Sequence, residues 1–172
     1  NDVAKAVAEA LKGVKHSESV PLAVAQKEIE LGLRIPTPNE IEKAREAVKG
    51  SKLFPRMETM EQVYARETVL LADFPTKVSA PLQIMKIGEL HVSAIPAEVF
   101  VEIGLDLKKR SPFPQTMVVG LANGRHGYLP TLEQHKLGGY ETWLGTNQVQ
   151  EDTSVILTNN LLEMLAELKK AD

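Results

Sequence analysis

The sequence predicts an α/β fold with a mixed β-sheet, a βαβ unit and flanking helices, in one domain or subdomain over residues 1–172. Three observations support this prediction. Helical and strand-like hydrophobic periodicities alternate along the chain. A strand, a helix and a second strand fit within about thirty residues, as in a βαβ unit. The length suits one domain, and no linker rich in glycine, proline or serine divides it.

The composition excludes several classes of protein. Lys and Arg total 20 against 23 Asp and Glu, and basic residues are scattered, so no nucleic-acid partner is expected. The absence of cysteine excludes disulfides, thiolate zinc sites and a cysteine nucleophile. Apolar runs such as residues 69–72 are far shorter than the roughly 20 residues that span a bilayer, so no transmembrane segment is expected.

The chain begins at Asn1, without methionine, and runs directly into a helical pattern that ends at Gly13. The start of the chain lacks a charged segment followed by an apolar one, so we do not expect it to be a signal peptide. Such a start indicates a processed chain or a piece of a longer protein, with simple trimming as the alternative.

The first strand is predicted over residues 20–34. Its apolar side chains fall on even positions in the first half and on odd positions in the second half. Because successive side chains of a strand point to opposite faces, this change predicts a bulge or a break near Gln26 and Lys27.

Two helices follow, each with a recognisable start. The first begins at a cap, Thr37, with proline next and glutamate three positions later, and it stops at Gly50. The second follows Pro55 and has a capping box that starts at Thr59. Its residues at helical spacing are predicted to lie in the core, without a cofactor role: Met60, Val63, Tyr64, Leu70 and Phe74.

The βαβ unit lies in the second half of the chain. Residues 82–87 and 90–95 form two strands joined by Gly88-Glu89, a loop typical of a tight hairpin. A helix over residues 97–110 and a strand over residues 116–121 follow, and the two strands that flank this helix should be parallel neighbours. A short helix and a long final helix close the chain.

Ligands of α/β sheets bind beyond the carboxyl ends of parallel strands. One such end is followed by Glu98, and the other continues into a glycine-rich loop that contains Tyr128. A carboxylate and a phenol on one edge could bind a metal, transfer protons or do neither. The alternatives are a favourable charge at a helix start for Glu98 and a packing role for Tyr128.

Three segments resemble neutral/alkaline (non-lysosomal) ceramidases and their bacterial relatives. Residues 87–100, IGELHVSAIPAEVF, are similar to the family's segment with the pattern IG-L, IP and E-x-F. Later segments follow in the family's order, namely GLAN at 120–123, GYLPT at 127–131 and GYE at 139–141. The similarity is clearest over residues 82–143.

The resemblance implies the later part of the catalytic domain of a zinc-dependent amidase that cleaves the N-acyl bond of ceramide. It gives Glu98 and Tyr128 the positions of two zinc ligands, and Tyr140 that of a catalytic tyrosine near the scissile carbonyl. The family's two histidine ligands lie upstream, and none of the chain's histidines matches them: His16, His91, His126 and His135. The zinc site is therefore expected to be complete only with an N-terminal portion, and this chain alone is expected to be inactive.

The resemblance also implies a set of partners. These are the N-terminal portion of the same catalytic domain or a second copy of the chain, and a lipid-like N-acyl substrate. An exported or periplasmic location is implied as well. The alternative function is that of a non-catalytic relative or separated subdomain that acts as an assembly or binding module. A metal-free hydrolase would need a nucleophile–base pair, which the sequence does not show.

Overall fold

A computed structural model describes residues 1–50, 57 and 59–171. The helices are α1 (Asp2–Leu11), α2 (Pro38–Ala47), α3 (Met60–Leu71), α4 (Val101–Arg110), α5 (Leu132–Leu137) and α6 (Thr153–Lys170). The strands are β1 (Leu22–Gly32), β2 (Lys77–Ile87), β3 (Leu90–Ala94), β4 (Glu98–Val99), β5 (Thr116–Val119) and β6 (Tyr128–Leu129). A 3-10 turn covers Tyr140–Thr142. The predicted α/β class is confirmed.

The main sheet has four strands in the order β1-β2-β3-β5. β1, β2 and β3 are antiparallel, whereas β5 lies parallel to β3. The predicted βαβ unit is thus present, with α4 between its two parallel strands. The predicted hairpin is also confirmed, because Ile87 pairs with Leu90 and Gly88 has a φ of +61°.

Within β1 there is no bulge. Its 11 residues pair with β2 in an unbroken register, so the break predicted near Gln26 and Lys27 is wrong. The two halves of the strand instead place apolar side chains on opposite faces of the sheet. Leu31 in the second half lies in the core, whereas Leu22 and Val24 in the first half are 73% and 64% exposed on the other face.

The core lies between one face of the main sheet and the helices α4 and α6. Leu157, Leu161 and Leu165 of α6 are almost fully buried, as are Ile103 and Leu107 of α4. Each such side chain contributes roughly 1.5–3 kcal/mol relative to an exposed one. This layer therefore fixes the strands that carry the candidate site.

The other face of the sheet is apolar at the end nearest the β2–β3 hairpin. The register of the strands puts these apolar side chains on the same side of the sheet. Several of them are exposed by 45–73%. We call this surface the open sheet face, and its members are Leu22, Val24, Met85, Ile87 and Met117.

The helix start predicted for α2 is confirmed, and so is the cap predicted at Thr59 for α3. The Thr37 hydroxyl accepts the N–H of Glu40, and the Glu40 carboxylate accepts the N–H of Thr37, which completes a capping box. Thr59 accepts the N–H of Gln62 in the same way. Pro55, predicted to precede α3, lies outside the described residues.

The core prediction for the second of these helices is wrong at three positions. Met60, Leu70 and Phe74 are exposed by 46–63%, and the buried residues of the helix are Ala65 and Leu71. The reason is that α3 packs mainly against α2, at the periphery, rather than against the main sheet. Among the described residues, no helix has both the length and the apolar character that crossing a bilayer requires.

Candidate active site

Glu98 and Tyr128 lie side by side in a short parallel sheet. β4 pairs with β6, and Glu98 is the register partner of Tyr128. The N–H of Glu98 donates to the carbonyl of Gly127 at 2.9 Å, which anchors the pair. The helix predicted from residue 97 begins only at Val101, so the interpretation of Glu98 as an acid at a helix start is wrong.

The loop over residues 120–127 brings β6 to this position. Its backbone N–H groups donate three times to carbonyls of residues 95–97, at N···O distances of 2.9–3.1 Å. Gly127 has a φ of +76°, and a Cβ there would collide with the carbonyl of Thr146, so the loop requires glycine at this point. Leu121 and Asn123 also have positive φ values, 53° and 64°. Such conformations are costly and are concentrated at functional sites.

A surface depression of about 360 Å³ opens beside the β4–β6 pair. Glu98 and Tyr128 contribute a carboxylate and a phenol to its lining, and Glu141 contributes a second carboxylate. The remaining lining residues are Val99, Phe100, Gly120 and Leu121. The depression thus combines oxygen atoms that could bind a cation with apolar walls.

The electrostatics of the site favour a protonated phenol at Tyr128. The neighbouring Glu98 carboxylate raises the pKa of Tyr128 most, followed by desolvation and by Tyr140. A divalent cation at the same place would act in the opposite direction, because it stabilises the phenolate.

Four aromatic side chains pack edge to face next to the depression. The Tyr140 ring centroid lies 5.6 Å from that of Tyr128 and 6.1 Å from that of Trp143. The Tyr64 centroid lies 6.4 Å from Tyr140 and 5.1 Å from Trp143. These are favourable aromatic geometries. We call these four residues the aromatic cluster. The three site residues predicted from the sequence therefore lie together, because Tyr140 contacts Tyr128 and Tyr128 adjoins Glu98.

A buried amide fixes the loop that carries Tyr140. Asn147 is 1% exposed, and its side-chain nitrogen donates to the carbonyl of Tyr128 at 2.9 Å. Its side-chain oxygen accepts from Nη1 of Arg34 at 2.8 Å, and the same Arg34 nitrogen donates to the carbonyl of Thr142 at 2.8 Å. These bonds tie the loop over residues 139–147 to β6 and to the end of β1.

Four residues of this region were not predicted from the sequence, namely Arg34, Tyr64, Glu141 and Asn147. Tyr64 lies in the helical pattern that was assigned to the core, and Glu141 lies in the GYE segment beside Tyr140. Arg34 and Asn147 are separated by 113 residues, so no local pattern connects them.

The donors present fit only part of a metal site. Glu98 and Tyr128 offer two adjacent oxygen atoms, a ligand type that zinc accepts. Among the described residues, no group of three or more His, Asp or Glu could hold a metal ion. Burial lowers the pKa of nearby His126, which favours its neutral form.

No protein-family model and no curated protein matches the chain. Solved structures that are similar to it include two ceramidases. Neutral ceramidase from Pseudomonas aeruginosa aligns with 88% of this chain, with a TM-score of 0.56 and 19% identity. A ceramidase complexed with C2 aligns with 79%, with a TM-score of 0.51 and 20% identity. The chain spans 29% and 20% of the lengths of these two structures. The fold is therefore similar to that of a portion of neutral ceramidase, which confirms at the level of fold the resemblance found in the sequence.

Proposed function

We propose that this chain is the later part of the catalytic domain of a zinc-dependent amidohydrolase that cleaves an N-acyl, ceramide-like amide bond. The observation that carries the proposal is the placement of Glu98 beside Tyr128, with Tyr140 against Tyr128. The fold supports it, because the similar solved structures are ceramidases.

In this proposal Glu98 and Tyr128 supply two oxygen ligands, and histidines from an N-terminal portion complete the zinc site. Bound zinc supplies a water molecule with a pKa of about 7 and a Lewis acid for the amide carbonyl. Glu98 contributes negative charge, and Tyr128 contributes a phenol oxygen whose deprotonation requires the cation.

Tyr140 has a different role in the proposal. Its hydroxyl donates a hydrogen bond to the carbonyl oxygen of the amide, where negative charge develops in the transition state. Because Tyr140 is 44% exposed and contacts Tyr128 through its ring, substrate can reach it from the side of the depression.

The depression suits a substrate with an apolar chain. Its volume of about 360 Å³ lies within the range of small-molecule pockets, and Val99, Phe100 and Leu121 provide apolar wall. A lipid-like acyl group fits this lining better than a charged or strongly polar substrate does.

The proposal also assigns an occupant to the open sheet face. A solvated sheet face normally carries polar side chains, whereas the open sheet face is apolar, and α4 and α6 cover the opposite face. Since the chain spans only 29% of the similar neutral ceramidase, we assign the covering layer to the N-terminal portion of the same catalytic domain.

The test is hydrolysis of an N-acylsphingosine by the complete catalytic domain. Loss of a metal ligand lowers activity by at least about 10–100-fold, so the hydrolysis rates of Glu98→Ala and Tyr128→Phe should be lower than that of the wild type by that factor. Tyr140→Phe should lower kcat by roughly 10²–10³, as removal of an oxyanion donor does. His126→Ala, the control, should keep its rate.

Two results would count against the proposal. A fully active Glu98→Ala variant would return Glu98 to a structural role. A complete wild-type domain with no amidase activity, together with stable binding of the 172-residue chain to the N-terminal portion, would favour the binding-module alternative.

A further inference from the structure

Tyr64 is the member of the aromatic cluster that comes from outside the later half of the chain. It lies on α3, whose start is fixed by the Thr59 cap, and its side chain is half-buried. The ring meets Tyr140 at an interplanar angle of 78° and Trp143 at 86°. It therefore contacts two of the residues that shape the loop around Tyr140.

The helix that carries Tyr64 is seated directly on this loop. Gly145 has a φ of +96°, and a Cβ there would lie 3.0 Å from the Cβ of Glu67, one turn along α3 from Tyr64. The loop backbone thus approaches α3 as closely as a glycine permits. This contact fixes the distance between Tyr64 and the loop.

The phenol groups also influence one another. The proximity of Tyr140 raises the pKa of both Tyr64 and Tyr128, after desolvation for Tyr64 and after the Glu98 carboxylate for Tyr128. Desolvation is the main cause that raises the pKa of Tyr64, so its phenol stays protonated at neutral pH and can donate. Tyr140 therefore lies between two phenols, one of which adjoins Glu98.

We propose that Tyr64 is a positioning residue for Tyr140. Its ring holds Tyr140 and Trp143 at fixed angles, and its hydroxyl fixes the direction of the Tyr140 hydroxyl. The inference rests on the proposed function, because it assigns the residue that orients the oxyanion donor of that reaction. Preorganised donors contribute to catalysis because they need not reorient as charge develops.

Two substitutions separate the hydroxyl from the ring. In the complete catalytic domain, Tyr64→Phe removes only the hydroxyl and should lower kcat for an N-acylsphingosine by roughly 3- to 10-fold, the worth of one hydrogen bond. KM should stay within about twofold, since a positioning effect acts on the transition state. Tyr64→Leu should lower kcat further, and Leu70→Ala, exposed on the same helix, should keep full activity.

A fluorescence measurement tests the ring contact independently of any enzymatic activity. Trp143 is the single tryptophan of the 172-residue chain, so its fluorescence reports on this cluster. Tyr64→Leu should shift its emission to longer wavelength and increase quenching by acrylamide, whereas Tyr64→Phe should leave both unchanged. An unchanged spectrum in Tyr64→Leu would overturn the inferred packing.

A double variant distinguishes positioning from general destabilisation. If Tyr64 acts through Tyr140, Tyr64→Phe should cause no further loss in a Tyr140→Phe background. A double variant that loses the product of the two single effects would overturn the inference. If the single variant Tyr140→Phe keeps full kcat, the proposed function fails. If Tyr140→Phe loses activity but Tyr64→Phe keeps full kcat, this inference fails and the proposed function stands.

Discussion

Asn147 offers a sharp test of how the candidate site is held together. It is buried, donates to the carbonyl of Tyr128 and accepts from Arg34. Asn147→Leu keeps the number and branching of the heavy atoms in the side chain and removes both hydrogen bonds. The change acts on the site without touching the three proposed functional side chains.

The magnitude follows from the two partners that are left behind. A buried carbonyl without a hydrogen bond costs about 1–3 kcal/mol. A lost bond to a charged group costs about 1.5–3 kcal/mol, but Arg34 is only partly buried and keeps its bond to the carbonyl of Thr142, so we take about 1 kcal/mol. The expected loss in the free energy of unfolding is therefore about 3 kcal/mol, or roughly 6–12 °C in Tm for a domain of this size.

Urea denaturation of the 172-residue chain measures this loss. The control is Asn159→Leu, an exposed asparagine that accepts from exposed Arg110 and should change stability by no more than about 0.5 kcal/mol. A double-mutant cycle with Arg34→Met should give a coupling free energy above about 0.5 kcal/mol. If Asn147→Leu stays within about 1 kcal/mol of the wild type, the buried amide does not hold the loop and this reasoning is refuted.

Three further predictions concern the loop, a helix cap and the open sheet face. Gly127→Ala should destabilise the chain by about 2 kcal/mol or more, because a side chain at its positive φ is strained and collides with a carbonyl; an equally stable variant would contradict this. The pKa of Glu40 is lowered by its bonds to Thr37, so its contribution to stability is present above the ordinary value of 4.5 and is lost as pH falls through the lower folded value. The stability difference between wild type and Glu40→Gln should therefore shrink on acidification, and a difference that grows would refute the sign. The isolated chain should self-associate in sedimentation experiments, and Val24→Gln should reduce this association; a monodisperse wild-type monomer would show that the open sheet face needs no cover.

Much of the fold could be predicted because its signals are local. The cap at Thr37 and the loop Gly88-Glu89 depend on neighbouring residues, and the structure has both. The expected juxtaposition of Glu98 and Tyr128 followed from the parallel strands of the βαβ unit. The structure places them closer than that argument required, as register partners.

The errors come from contacts between distant parts of the chain. Glu98 lies in a two-residue strand that exists only through its pairing with β6, so local propensity favoured a helix there. The apolar residues of β1 switch from even to odd positions because the two halves of the strand place them on opposite faces of the sheet, and not because of a bulge. Helical spacing could not distinguish Tyr64 from core residues, because an aromatic side chain that packs in the core and one that lies at a functional site follow the same helical periodicity.

In the proposed function, Glu98 and Tyr128 hold the metal whereas Tyr140 acts on the substrate. Zinc content of the complete catalytic domain after dialysis, measured by mass spectrometry, tests it most directly. Stoichiometric zinc is expected in the wild type and in Tyr140→Phe, and a loss of affinity of at least about 10–100-fold is expected in Glu98→Ala. Full zinc in Glu98→Ala, or its loss from Tyr140→Phe, would contradict the account.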